Sequence, residues 1–280
     1  RLWVHVGGIQ FQPGELAKVM LIVFLAGYLR EKREVLAQGR IKDFGPLLAI
    51  WGAAMLVLVE TNDLGSGLLY FGIFLAMLYV ATARAWFVGA GLVLFVAGTA
   101  LVYKAVPRVE ERVTVWIDPW KHSHTSGYQI IQSLYSIGNG GFDGKGFGKG
   151  VFATTNGHDL IPFLPTDFIY SALAQELGLV GSAALLLVYM LFCLRGFRIA
   201  MLAQDGFSKL LAVGLTFGFA LQTFIIVGGV LRIIPLTGIT LPFVSYGGSS
   251  VVANFVLLAG LLLVSHRANA SSQLALGGRE

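Results

Sequence analysis

The chain has 280 residues, 56% of them hydrophobic and 12% charged, with a formal net charge of +5 at pH 7. A soluble domain carries about 25% charged residues, so the composition excludes one and points to an integral membrane protein. The basic residues cluster beside apolar runs, which excludes a nucleic-acid footprint, and the single cysteine, Cys193, allows no intrachain disulfide.

A membrane-crossing helix needs about 20 apolar residues. Seven stretches qualify, near 14–29, 46–60, 64–82, 85–105, 168–194, 209–231 and 245–265, and together predict an all-α polytopic fold forming a single membrane domain over 1–280. The stretch from Arg1 does not read as a signal peptide, and earlier spans are expected before it. Arg30, Lys32, Arg33, Arg40, Lys42, Arg84, Arg195, Arg198, Lys209 and Arg267 fall on alternate connections, which places those connections in the cytoplasm and the others outside.

The first span opens with Gln12-Pro13-Gly14-Glu15-Leu16-Ala17-Lys18. Proline suits a first helical turn, and Glu15 and Lys18, three apart, share a face. They read either as a local ion pair or as an inward-facing pair in a cavity. Asp63, ahead of the third span, reads as an N-cap or, with Glu60, as a cation site.

A large extracytoplasmic loop is expected over 106–166. Asp118, His122 and His124 are metal-ligating types, but their spacing matches no strong signature. Gln129, Gln132 and Ser133 recur at helical spacing, with Ile130, Ile131 and Leu134 on other faces, predicting an amphipathic helix at the interface. The glycine run from Gly138 to Gly150 predicts backbone N–H nests for an anion, with Lys145 and Lys149 beside them, or a flexible re-entrant loop. Neither lysine is followed by Ser or Thr, so this is no nucleotide-binding P-loop.

Asp167 stands where the loop meets an apolar span. A charge there is costly, which makes it the first candidate for chemistry; the alternative is an N-cap, and with Thr166 in that role Asp167 stands in the first turn, favoured by the helix dipole. Glu176 lies nine residues on, inside the span, and needs a partner or a proton. Residues 235–250 carry two prolines and several small residues, predicting a non-helical outward segment. The tail over 266–280 is expected to be cytoplasmic and disordered.

Several of these motifs, in this order, resemble the SEDS family, the FtsW/RodA/SpoVE proteins of bacterial cell-wall synthesis. Arg1-Leu2-Trp3, Gln12 to Lys18, Asp63-Leu64-Gly65, Gly127-Tyr128-Gln129 with the glycine run, Thr166-Asp167-Phe168-Ile169 with Glu176-Leu177-Gly178, and Pro242 with Ser245-Tyr246-Gly247-Gly248-Ser249 carry the resemblance. Glu60-Thr61 stands where the family usually has Gln-Pro, Gly14 where it has Ser, and Gln175 where it has Glu. The stretch 160–165 departs from the family's Pro-Glu-x-His form as well.

The resemblance implies ten spans, of which these seven are the fourth to tenth, in the bacterial cytoplasmic (inner) membrane with the active face outside. It implies a peptidoglycan glycosyltransferase polymerising lipid II, with an undecaprenyl pyrophosphate-linked glycan and Asp167 as general base. Lys18 and Arg1 would meet the pyrophosphate, and Glu15 and Asp63 would orient cations. Gln129, Gln132, Ser133, Ser245, Gly247, Gly248 and Ser249 would line the substrate site. A divalent cation, magnesium or manganese, fits such chemistry; no organic cofactor is implied. The implied partner is a class B penicillin-binding protein. A lipid II flippase and a pure scaffold are the alternatives, and the gathering of polar motifs on one face favours the enzyme. A retinal protein would need a lysine in the last span, which 245–265 lacks.

Overall fold

The computed structural model describes residues 4–6, 9–37, 45, 52, 63–153 and 159–277. Arg1 and the expected span at 46–60 (residue 52 apart) lie outside these. Two compact units result, one comprising Arg1–Leu92, Leu191–Leu221 and Gly248–Glu280, the other Val93–Met190 and Gln222–Gly247.

The first unit begins with a short antiparallel ribbon, β1 (Val4–Val6) and β2 (Ile9–Phe11), with Val4 opposite Phe11. α1 (Pro13–Ala37) follows, with proline at its first position, where an N–H would have no helical partner. α2 (Leu64–Thr82) is capped by Asp63, whose carboxylate accepts the Ser66 N–H at 3.0 Å. It ends at Ala83 in the left-handed region, whose N–H reaches the Tyr79 carbonyl. α3 (Ala85–Ala105) starts here and continues into the second unit.

Within the first unit α1 packs on α2 and on α8 (Gly248–Gly277). Ile22, Leu25, Leu29, Ile73, Met77, Leu215 and Leu257 fill the interior. α7 (Gly206–Val230) brings Gly214 against Ile22 and Met77. Its start is held by Asp205, which accepts the Ser208 N–H at 2.9 Å. The Ser208 bonds, foremost, hold the Asp205 carboxyl below the usual carboxylate range.

In the second unit the large loop is itself mostly helical: α4 (Pro107–Ile117), a 3₁₀ turn (Pro119–His122) and α5 (Tyr128–Gly140). α6 (Ile169–Leu202) enters next and breaks at Gly178, where φ is +67°. The break frees backbone groups on both sides, and the glycine run takes them up. The Lys145 and Gly146 N–H groups donate to the Gln175 and Glu176 carbonyls at 3.0 and 2.9 Å, while the Leu179 and Val180 N–H groups donate to the Gly141 and Phe142 carbonyls at 3.0 and 3.2 Å. A side chain at Gly178 would run into the Gly144 nitrogen, and one at Gly144 into the Glu176 carbonyl. This clasp counts against the anion-nest reading at Lys145 and Gly146, whose N–H groups are spent on the broken helix.

Among the described residues four helices are long and apolar enough to cross a membrane, Gly65–Thr82, Ile169–Leu202, Gly206–Val230 and Gly248–Ala270, with a shorter apolar helix at Ala85–Ala100. The protein is an all-helical polytopic membrane protein apart from the ribbon. α1 is not among the four, since its uncharged stretch runs only from 19 to 29. The tail also differs from expectation, because α8 continues in helical conformation to Gly277.

Candidate active site

The predicted site residues fall into two groups, one in each unit. In the first unit the Lys18 ammonium lies 3.0 Å from the Glu15 carboxylate, and Lys18 is only 1% exposed. The two form a local ion pair, and a buried one. Asp63 accepts from the Ser66 N–H and hydroxyl, the latter at 2.7 Å. The Tyr70 hydroxyl donates to the Gly14 carbonyl, and a Cβ on Gly14 would lie 3.9 Å from Asp63, Ser66 and Tyr70 oxygens alike. Ser249 accepts the Gln12 N–H at 2.9 Å, fastening the start of α1, while Gly248 is exposed at the start of α8. Nothing in the sequence singled out Ser66 or Tyr70; helical spacing from Asp63 is the signal that would have found them.

In the second unit Asp167 lies in a turn before α6. The Thr166 and Asp167 N–H groups both point at the Phe163 carbonyl, at 3.2 and 3.0 Å, and the Thr166 hydroxyl does the same at 3.0 Å. Phe163 bends the turn with φ at +60°. Burial pushes the Asp167 carboxyl above the usual range, against a pull down from the Thr166 hydroxyl and the Arg112 guanidinium. Asp167 forms no ion pair among the described residues. A Cβ on Gly238 would lie 3.5 Å from its Oδ2, so the bare glycine leaves space beside the carboxylate. Arg112 and Gly238 escaped sequence reasoning because only the fold brings them to Asp167.

Ser133 is not on a polar face as expected. It is fully buried with Ile130 and Ile131, its hydroxyl 2.6 Å from that of Ser171. Gln129 and Gln132 are half-buried. Ser245 is buried and bonded within the protein, donating to the Thr166 carbonyl at 2.6 Å; Gly247, further along, is half-buried. Among the described residues no three His, Cys, Asp or Glu side chains cluster as metal ligands, and Asp118 pairs instead with Lys121 at 3.3 Å.

A partly buried carboxylate at the edge of a span, with space beside it, is one of the motifs that carried the resemblance. A family model for FtsW/RodA/SpoVE, described as "Cell cycle protein", matches residues 1–270. The chain belongs to the FtsW/RodA/SpoVE family. Its sequence is 43% identical over 278 residues to the peptidoglycan glycosyltransferase RodA of Mycobacterium tuberculosis (strain ATCC 25618 / H37Rv), covering 96% of this chain and 58% of that protein. It is 40% identical to stage V sporulation protein E of Bacillus subtilis (strain 168), covering 95% and 71%. Among solved structures it resembles a chain reported under structural coordination of polymerization and crosslinking by a peptidoglycan synthase complex. The TM-score there is 0.77 at 29% identity, over 96% of this chain and 74% of that one. The chain thus spans somewhat more than half the length of the mycobacterial relative.

Proposed function

We propose that this chain carries the polymerising site of a peptidoglycan glycosyltransferase acting on lipid II at the outer face of the bacterial cytoplasmic membrane. The observation that carries this reading is Asp167, a desolvated carboxylate without an ion-pair partner among the described residues and with a glycine beside it. The likeness to enzymes named for this activity supports it.

A sugar 4-hydroxyl is a poor nucleophile at neutral pH. Asp167 accepts its proton as the hydroxyl oxygen bonds to the anomeric carbon of the second sugar. The bond from that carbon to the pyrophosphate oxygen breaks, and undecaprenyl pyrophosphate departs with the electron pair. General-base assistance of this kind contributes about 10²–10⁴-fold. Burial serves the role, since it holds the carboxyl above the usual carboxylate range and so makes the carboxylate a stronger base.

The leaving group gathers negative charge and needs cations. Lys18 and Arg1 are the residues proposed to meet it. Magnesium is held by one or two carboxylates together with substrate phosphates, so the lack of a three-ligand cluster among the described residues is compatible with it. Glu15 and Asp63 would hold such an ion, which would supply further charge neutralisation. Gln129, Gln132, Gly247 and Gly248 remain proposed substrate contacts. A class B penicillin-binding protein is the proposed partner.

The test is polymerisation of fluorescent lipid II by the native gene product with its transpeptidase partner, for wild type and Asp167→Asn, with and without magnesium. Strands from wild type and none from the variant are expected. Strands from Asp167→Asn at the wild-type rate would remove Asp167 from the role. Headgroup translocation in liposomes without any strands would favour a flippase.

A further inference from the structure

The segment between α7 and α8, residues 231–247, is tied down along its length. Arg232, itself left-handed at φ +61°, donates to the Trp116 carbonyl at 2.7 Å and to that of Ile117, and its own carbonyl receives the Trp116 indole N–H at 3.1 Å. Arg112 donates to the Thr237 carbonyl at 3.2 Å, Gln222 to that of Thr240 at 2.9 Å, and Tyr189 to that of Pro242. These bonds fix the segment to α4, α6 and α7. The last tie runs from the segment to the turn that bears Asp167.

Ser245 accepts the Leu241 N–H at 2.8 Å and donates its own hydroxyl to the Thr166 carbonyl at 2.6 Å; the next residue, Tyr246, gives its N–H to the Pro165 carbonyl at 2.8 Å. The Thr166 carbonyl and the Asp167 N–H belong to one planar peptide unit. Ser245 holds the oxygen end of that plane, and the Phe163 carbonyl holds its nitrogen end at 3.0 Å. A peptide held at both ends cannot swing, so the direction in which Asp167 leaves the backbone is set. A serine hydroxyl has one proton to donate, and Ser245, 3% exposed, donates it here.

We propose that Ser245 is a positioning residue that aims the Asp167 carboxylate, and that it binds no substrate. This rests on the reading of Asp167 as the general base. Losing the hydroxyl leaves the Thr166 carbonyl without this donor and lets the peptide turn. The carboxylate then samples wetter positions and non-productive angles. The charged group acting on Asp167 among the described residues is Arg112 of α4; Gly238 beside it brings no charge.

The experiment is the pH dependence of lipid II polymerisation by the native gene product with its transpeptidase partner. Wild type, Ser245→Ala, the near-isosteric Ser245→Cys and Asp167→Asn are compared, each with a melting curve. Ser245→Ala is expected to lower kcat about 10–100-fold with KM nearly unchanged, as misplacement of a reacting group does. Its acid limb should move to lower pH, because a better-hydrated carboxylate ionises more easily. Ser245→Cys, a weak donor, should lie between Ala and wild type, and it carries the test if the alanine variant does not fold. Raised KM at unchanged kcat would mark Ser245 as a substrate contact and overturn the proposal. So would a wild-type kcat and pH profile in either variant. If Asp167→Asn polymerises at the wild-type rate, the general-base reading fails; if it is inactive while both Ser245 variants behave as wild type, only the positioning role fails.

Discussion

Asp167 combines two demands that oppose each other. Burial raises its pKa and so strengthens it as a base, but the same burial penalises the ionised form the reaction needs. The folded-state pKa lies above the unfolded value of about 3.9. The penalty is therefore present at neutral pH and is relieved as pH falls through the raised folded value toward the ordinary one. Asp167→Asn removes it. We expect this variant to melt at a higher temperature than wild type at pH 7, with the difference shrinking toward pH 4, while polymerisation is lost. A melting series in detergent across that range is the check, and a lower melting temperature at pH 7 would contradict the sign. Lys18 gives the opposite case, since its buried ammonium sits 3.0 Å from Glu15. Lys18→Met should destabilise the fold by about 3–5 kcal/mol, because it leaves a buried carboxylate without this partner. Lys18→Met with Glu15→Gln should recover most of the loss in denaturant or thermal unfolding.

The clasp at Gly178 joins the first turns of α6 to the glycine run. α6 starts at Ile169 and already breaks at Gly178, and the broken turn is closed by backbone from the glycine run. A Cβ on Gly178 would come within 2.3 Å of the Gly144 nitrogen, where backbone must shift. Gly178→Ala should thus open the clasp, costing more than the roughly 1 kcal/mol that separates glycine from alanine in a helix. Amide exchange at Lys145 and Gly146 should then rise toward that of exposed loops, as hydrogen–deuterium exchange would show; unchanged protection would mean those bonds do not depend on the kink. The sequence disclosed the glycines and the apolar run separately. It could not disclose that they pair, since backbone bonds between segments distant in the chain leave no side-chain pattern. The same limit hid the bond of Ser245 to the Thr166 carbonyl, without which it reads as a polar residue near a cavity. Glu15 with Lys18, and the Asp63 cap, were legible because helical spacing fixes them locally.

At the scale of the whole molecule the membrane class was legible from composition and run length, which act through the solvent rather than through tertiary contacts. Charges blurred the first span, and α8 outran its apolar stretch because a helix does not end where hydrophobicity does. Sidedness rests on the basic residues alone, and α6 offers a test within one helix. Asp167 and the clasp lie at its start, Arg195 and Arg198 toward its other end. If the basic end faces the cytoplasm, as short connections rich in Lys and Arg do, then Asp167 meets lipid-linked sugars outside. In a Cys193→Ser background, Lys145→Cys should react with a membrane-impermeant maleimide added to cells with a permeabilised outer envelope. Arg198→Cys should react only after the cytoplasmic membrane is opened. The reverse pattern would put the proposed base on the cytoplasmic face, where an enzyme polymerising exported lipid II has no substrate, and would leave the carrier reading as the better account of the same residues.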